Sequence, residues 1–125
     1  MNALKRFESI AYSLLRIVAG FLFVFHGLQK ILGMFGGPRF ALASMPGAAG
    51  IIEIVGGVLV MIGLFATPAA FICSGEMAFA YFMVHQPKAR WPIQNQGELA
   101  VLYAFLFLFI ATRGNGVISV GRGRG

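Results

Sequence analysis

Seven ionisable side chains stand inside apolar stretches of the chain or at their ends: Arg16, His26, Lys30, Glu53, Glu76, His85 and Glu98. A charged group in hydrocarbon costs roughly 2.5–3.5 kcal/mol on insertion scales. Each must therefore be paired, neutralised or turned toward protein. The chemistry open to this set is ion pairing, proton exchange and binding of a polar ligand head. His26 and Lys30 are i, i+4 neighbours and share a helical face. The four acids, Glu8, Glu53, Glu76 and Glu98, each fall on or beside a different apolar stretch. Two histidines and carboxylates are metal-ligand types, but no compact ligand motif appears, so no metal site is assigned. Cys73 is the single cysteine, which excludes an intrachain disulfide and a Cys-x-x-Cys redox pair. It reads as a small buried hydrophobe. Gly33-x-x-Gly36-Gly37 lacks the Lys-Ser/Thr ending and strand context of a phosphate loop. No catalytic residue is assigned.

These groups must be positioned by membrane helices. Hydrophobic residues make up 58% of the 125-residue chain, charged residues 11%, and the mean hydropathy is +0.82. Soluble domains carry about 25% charged residues, so a water-facing surface cannot be built from this composition. The pattern predicts an all-α fold, a bundle of four transmembrane helices at about 9–32, 47–65, 68–84 and 96–112. They form one domain over 1–125. A glycine-rich basic tail, 114–125, has little power to fold by itself. The first apolar run is too long for the hydrophobic core of a signal peptide and contains Arg16 and His26, so it reads as an uncleaved helix. Thr67-Pro68 marks a tight break, with Thr as a cap and Pro in the first turn. Trp91 reads as an interfacial anchor.

An even number of crossings puts both termini on one side. Lys5, Arg6, Arg113, Arg122 and Arg124 lie on that side, with Arg16 nearby; Lys30, Arg39, Lys88 and Arg90 lie on the other. The bias favours cytoplasmic termini. The net charge of +6 is explained by these flanking positions. No basic patch interleaves with aromatics, so nucleic acid is not a partner. The partners implied are the lipid bilayer and protein subunits or further copies of the chain.

Depth counting at 1.5 Å per residue puts Glu53 and His26 roughly 9 Å from the same boundary. Lys30, His85 and Glu98 lie near that boundary, and Glu76 near the midplane. His26, Lys30, Glu53, His85 and Glu98 thus gather in the leaflet of the two long loops. Three stripes predict the inward faces: Arg16, Gly20, Phe23, Gly27 and Lys30; Glu53, Gly56, Gly57, Val60 and Leu64; Glu76, Ala80 and Met83. Glu53 is expected to pair with Lys30 or His26, and Glu76 with Arg16, either as structural ion pairs or within a ligand and proton site. Tyr103, Phe105, Phe107 and Phe109 are expected to face lipid, with a pocket for a flat hydrophobic ligand as the alternative.

Leu15-Arg16-x3-Gly20-x5-His26-Gly27-x2-Lys30 resembles the opening of the DoxX family of small bacterial membrane proteins. Glu53-x2-Gly56-Gly57, Gly63-Leu64-x2-Thr67-Pro68, Gly97-Glu98-x4-Tyr103 and Gly114-Asn115-Gly116-x2-Ser119 resemble later parts of that family. Its ending usually continues Leu-Asp, where this chain has Val120-Gly121. The resemblance implies a four-helix membrane bundle and, through DoxD-type subunits, association with quinone-linked oxidoreductases. The first functional expectation is a membrane subunit of such a system, with His26, Glu53 and Glu98 binding a quinone headgroup or moving its protons and a lipid-accessible cleft leading to them. A non-catalytic anchor or assembly subunit is the second, and a small proton-coupled transporter the third.

Overall fold

The computed structural model describes residues 2–36 and 39–121; Arg122 and Arg124, counted above for orientation, lie outside them. Every element among the described residues is helical. A short α1 (Asn2–Lys5) leads into α2 (Glu8–Leu32). A 3-10 turn (Met34–Gly36) and a loop precede α3 (Met45–Ile62). Helix α4 (Ala66–Ala80) runs on through a π-helical turn (Tyr81–His85) and a 3-10 turn (Gln86–Lys88). The short α5 (Pro92–Asn95) precedes α6 (Glu98–Arg113). Glu8–Leu32, Met45–Ile62 and the continuous stretch Ala66–Lys88 are long and apolar enough to cross a membrane. Helix α6 has 16 residues.

The polarity of the fold is that of a lipid-facing protein. Leu14, Val18 and Leu22 on α2, Val55 on α3, Phe71, Ile72 and Phe79 on α4, and Leu102, Phe105 and Phe109 on α6 are all exposed. Buried polar and charged residues include Arg16, Glu53, Asn95 and Asn115. A soluble protein places these classes the other way round.

Helices α2 and α3 run antiparallel along a glycine seam. A Cβ at Gly20 would lie 2.5 Å from the Met61 backbone N and 2.6 Å from the Gly57 carbonyl O. At Gly27 it would lie 2.6 Å from the Gly50 carbonyl O, and at Gly57 3.0 Å from the Gly20 carbonyl O. Small residues let the backbones approach this closely, and dispersion contacts hold helices together where lipid supplies no hydrophobic drive. The other side of α3 meets α4, where a Cβ at Gly56 would lie 2.5 Å from Cys73 Sγ. Helix α4 meets α6 through Ser74, whose hydroxyl donates to the Ala104 carbonyl at 2.7 Å. Helix α6 returns to α2 through rings: Phe23 lies 4.7 Å from Phe107 and 5.3 Å from Tyr103 between centroids. The four long helices thus close a ring.

The chain ends meet at one end of this ring. Glu8 and Arg113 form an ion pair through both carboxylate oxygens, with Arg113 over the Tyr12 ring. Tyr12 donates to the Gly114 carbonyl at 2.6 Å. Deeper in, Arg16 donates to the carbonyls of Val60, Met61, Asn115 and Ile118. Two of these close α3, where the helix dipole is negative. Arg16 was expected to pair with Glu76. Its fork instead ties α3 to the residues after α6, because unpaired carbonyls at that end needed donors.

Hydrogen bonds tie the tail to the bundle as far as Gly121, with the Val120 and Gly121 N–H groups donating to the Ile62 and Gly63 carbonyls; the rest of it lies outside the described residues. Asn115 is buried, accepts from the Ala66 N–H at 2.9 Å and donates to the Gly121 carbonyl. It therefore caps α4 from 49 residues away. Thr67 does not fill that role: α4 starts at Ala66, after Phe65 in the left-handed region at φ 50°. Gly63 ends α3 two residues before the predicted position, also left-handed at φ 71°, and a Cβ there would meet Ser119 and the Arg16 guanidinium.

The seam and the tail network give two predictions. Gly20→Ala lowers the melting temperature in detergent, because its Cβ meets immovable backbone. Gly75→Ala, with nothing within 4 Å, leaves the melting temperature unchanged or raises it by the equivalent of up to about 1 kcal/mol of helix propensity. Arg16→Leu destabilises by about 3 kcal/mol or more, since hydrogen bonds to a charged donor contribute roughly 1.5–3 kcal/mol each. Arg16→Lys does not restore it, because an ammonium cannot reproduce the guanidinium fork. Chemical unfolding followed by circular dichroism measures both.

Candidate functional site

The site is assembled where the seam ends toward the long loops. Lys30 closes α2 and reaches across to α3. Its Nζ lies 2.6 Å from Glu53 Oε2. Lys30 is partly open, with 28% of its side chain exposed, whereas Glu53 is fully buried at 0%. Among the described residues Glu53 Oε1 has no hydrogen-bond partner, and neither has the buried Oε1 of Glu76 on α4. The two carboxyls interact with each other, and Lys30 is within electrostatic reach of Glu76. His26, one turn before Lys30, lies within the field of both Glu53 and Lys30. Its ring packs edge-on to Tyr103 of α6 at 5.9 Å. Tyr103 and Cys73 also lie within the field of Glu53. Side chains from all four long helices therefore converge on one carboxyl.

Burial explains why this cluster needs its members. An isolated buried carboxylate would be strongly unfavourable, and one excellent contact offsets that cost only when its remaining lone pairs are also used. Here one ammonium contacts Glu53 alone, and two acceptor oxygens find no donor among the described residues. With both carboxyls ionised and His26 neutral, the cluster carries one uncompensated negative charge. That imbalance is the chemical feature that separates it from a simple structural ion pair.

The sequence expectations divide accordingly. His26, Lys30, Glu53 and Glu76 come together. Glu98 and His85 do not join them. Glu98 is exposed in the first turn of α6, where its charge suits the helix N-terminus. His85 Nδ1 lies 3.2 Å from the Asn95 carbonyl, and its ring stacks on Tyr81. Depth counting could not supply their direction around the bundle axis.

The face of α4 also differs from the predicted stripe. Its buried residues are Ala66, Ala69, Ala70, Cys73 and Met77, while Glu76 and Ala80 sit at the edge and Met83 is exposed. Small side chains let α4 approach its neighbours, and that requirement sets the phase rather than the charge. The aromatics of α6 split by helical period. Tyr103 and Phe107 are buried and stack at 5.6 Å, while Phe105 is 68% exposed and Phe109 is also exposed. The expectation of a wholly lipid-facing set is corrected for the first two.

Sequence reasoning missed Tyr103 as a neighbour of the cluster. It also missed Asn95, whose amide donates to Tyr81 Oη and the Ala89 carbonyl, both at 3.1 Å, and accepts from the Gly97 N–H at 2.8 Å. Asn95 organises the loop before α6. No periodic signal marks such a residue, because its partners are backbone groups of an irregular segment. A surface depression of about 470 Å³ lies at the same end, lined by Ile31, Leu32, Arg39, Phe40, Ala41 and Leu42. Its walls include none of the cluster residues. Among the described residues no group of three or more metal-ligand side chains is assembled.

Comparison with known proteins places this geometry in a family. The DoxX family profile matches residues 11–86. A Haemophilus influenzae protein, whose name states no activity, is 42% identical over 127 residues, covering 96% of this chain and 95% of that protein. A Bacillus subtilis protein named "Putative oxidoreductase CatD" is 32% identical over 116 residues, covering 89% of this chain and 84% of that protein. No solved structure matches. With apolar helices built to meet lipid and a profile match across α2, α3 and α4, the chain belongs to the DoxX family of membrane proteins.

Proposed function

We propose that the chain is a membrane subunit of a quinone-linked oxidoreductase system, with His26 and Lys30 as headgroup contacts and Glu53 and Glu76 as the proton-handling groups behind them. The observation that carries this reading is that buried Glu53 and half-buried Glu76 each have a buried carboxyl oxygen with no partner among the described residues, beside one lysine. The similarity to a protein named as an oxidoreductase supports it.

The residues present fit a quinone head. Its ring carbonyls accept hydrogen bonds, and Lys30 Nζ and the His26 ring N–H are donors at the partly open edge of the cluster. The Phe23, Tyr103 and Phe107 rings form the apolar wall next to His26. When bound, a quinone supplies a two-electron acceptor whose reduction takes up two protons. Glu53 is too deeply buried to touch the ring in this arrangement, so its part is to hold Lys30 and to exchange protons with it. Electrons come from a partner subunit, since the chain has no dithiol or recognisable redox-cofactor motif.

The same reading assigns four crossings of the inner membrane. Helix α6 spans about 24 Å at 1.5 Å per residue. Its neighbours Gly114–Gly121 extend the structure at that end through the Arg16 network. Both termini then face the cytoplasm, with the Lys30–Glu53 pair in the opposite leaflet.

Two measurements test this. Purification from native membranes with lipid extraction recovers quinone with the chain, and His26→Ala or Lys30→Met weakens quinone binding by about tenfold, equivalent to about 1.4 kcal/mol. Quinone-free protein with unchanged binding isotherms in the variants ends the reading; a stoichiometric companion protein without quinone turns it into an assembly subunit. In a Cys73→Ala background, cysteines placed at position 4 and at position 117 react with an impermeant thiol reagent from the cytoplasmic side, and one at position 93 from the other. Opposite labelling of positions 4 and 117 rules out an even number of crossings.

A further inference from the structure

We propose that Glu53 and Glu76 form a carboxyl pair that holds one proton and exchanges it with water through Lys30, at the long-loop end of the bundle and not at the end that carries the termini. This deepens the proposed site but does not require a quinone.

The argument starts from room and charge. Glu53 is 0% exposed. Its Oε2 is committed to Lys30, and its Oε1 is open. Glu76 adds a second open oxygen from α4. Gly56 of α3 packs on Cys73 of α4, so the antiparallel register sets Glu53 level with Glu76, and two like charges there cannot both persist against one ammonium. A proton between them removes one negative charge and turns two open acceptors into a hydrogen bond. It needs no cavity, whereas a ligand would need one. The other titratable groups facing the pair are His26 from α2, Cys73 from α4 and Tyr103 from α6. Of these, His26 is the one that could supply the missing positive charge instead, as an imidazolium.

The two ends of the bundle differ in what they offer a proton. Toward the long loops stands Lys30, in contact with Glu53 and partly open. Toward the termini stands a dry layer of Phe23, Val60, Ala70, Phe107 and Ile110, each fully buried. Beyond that layer lies Arg16, a fixed buried cation whose donors are used on carbonyls. A fixed positive charge in a narrow path raises an electrostatic barrier to protons. Exchange is therefore one-sided. Lys30 Nζ gives a proton to Glu53 Oε2, the pair shares it with Glu76, and the neutral Lys30 amine is reprotonated by hydronium at the open face, which leaves as water. One proton enters in total.

Infrared spectroscopy of the full chain, purified in detergent without quinone, reads the proton directly. Wild type shows the C=O stretch of a protonated carboxylic acid, shifted by deuterium exchange. Glu53→Gln and Glu76→Gln each abolish it, whereas Glu98→Gln, Glu8→Gln and His26→Gln retain it. No such band in wild type, or a band that survives both substitutions in the pair, overturns the proposal. A band that appears only in His26→Gln assigns the balancing charge to the imidazole and overturns it equally. Sidedness is read in vesicles of known orientation with a hydrophobic carbodiimide, which attacks protonated carboxyls in apolar surroundings. Acidifying the long-loop face raises labelling of Glu76 several-fold, and acidifying the terminus face does not. Equal response from both faces refutes the one-sided path. Because the protein is quinone-free throughout, failure of quinone binding and failure of the shared proton are separate results.

Discussion

The glycine seam between α2 and α3 is the constraint from which the other features follow. Lipid gives apolar helices no reason to separate from solvent, so association must come from close packing. Gly20, Gly27, Gly50 and Gly57 allow the two backbones to come within reach of each other's carbonyls. That approach brings both cations of α2 onto α3. Lys30 lands on Glu53 at one end, and Arg16 lands on the carbonyls of Val60 and Met61 at the other. A wider helix spacing would leave both charges reaching into hydrocarbon.

The two ends solve the same problem in different ways. Arg16 is satisfied by neutral acceptors, and the guanidinium fork spreads over four of them. No carboxylate binds Arg16, so its own contacts do not depend on the protonation of an acid. The Lys30 end uses ionisable acceptors and leaves two oxygens open. A fully satisfied network rigidifies, and a partly satisfied one stays responsive to a proton or a donor. The bundle therefore has one closed end and one chemically open end, and the polar residues that sequence reading placed on a single list fall into two groups with different physics.

Much of the fold was legible because hydropathy and length constrain membrane helices tightly. The predicted inward stripes on α2 and α3 hold for Arg16, Gly20, Phe23 and Gly27, and for Glu53, Gly56, Gly57 and Val60. Depth counting left Glu53 with Lys30 or His26 as its partner, and the structure places it on Lys30. What was not legible depends on rotation about an axis or on distant backbone. The phase of α4 is set by Ala69, Ala70 and Cys73 rather than by Glu76. The split of Tyr103 and Phe107 from Phe105 and Phe109 needs the position of α2. Asn115 caps a helix that begins 49 residues earlier, a relation no local pattern encodes.

The family profile spans residues 11–86, which include Arg16, His26, Lys30, Glu53 and Glu76 but stop before α6. Neither polar centre is complete within that span. The open end needs Tyr103 to close the apolar wall beside His26. The closed end needs Asn115 and Ile118 to take the Arg16 donors and Asn115 again to cap α4. Helix α6 and the segment after it are therefore structural parts of both centres rather than an appendage. Helix α6 earns its place because it and the segment after it finish networks begun elsewhere. A three-helix fragment would expose the Arg16 guanidinium and the N-terminus of α4 together, the two groups least tolerable next to lipid.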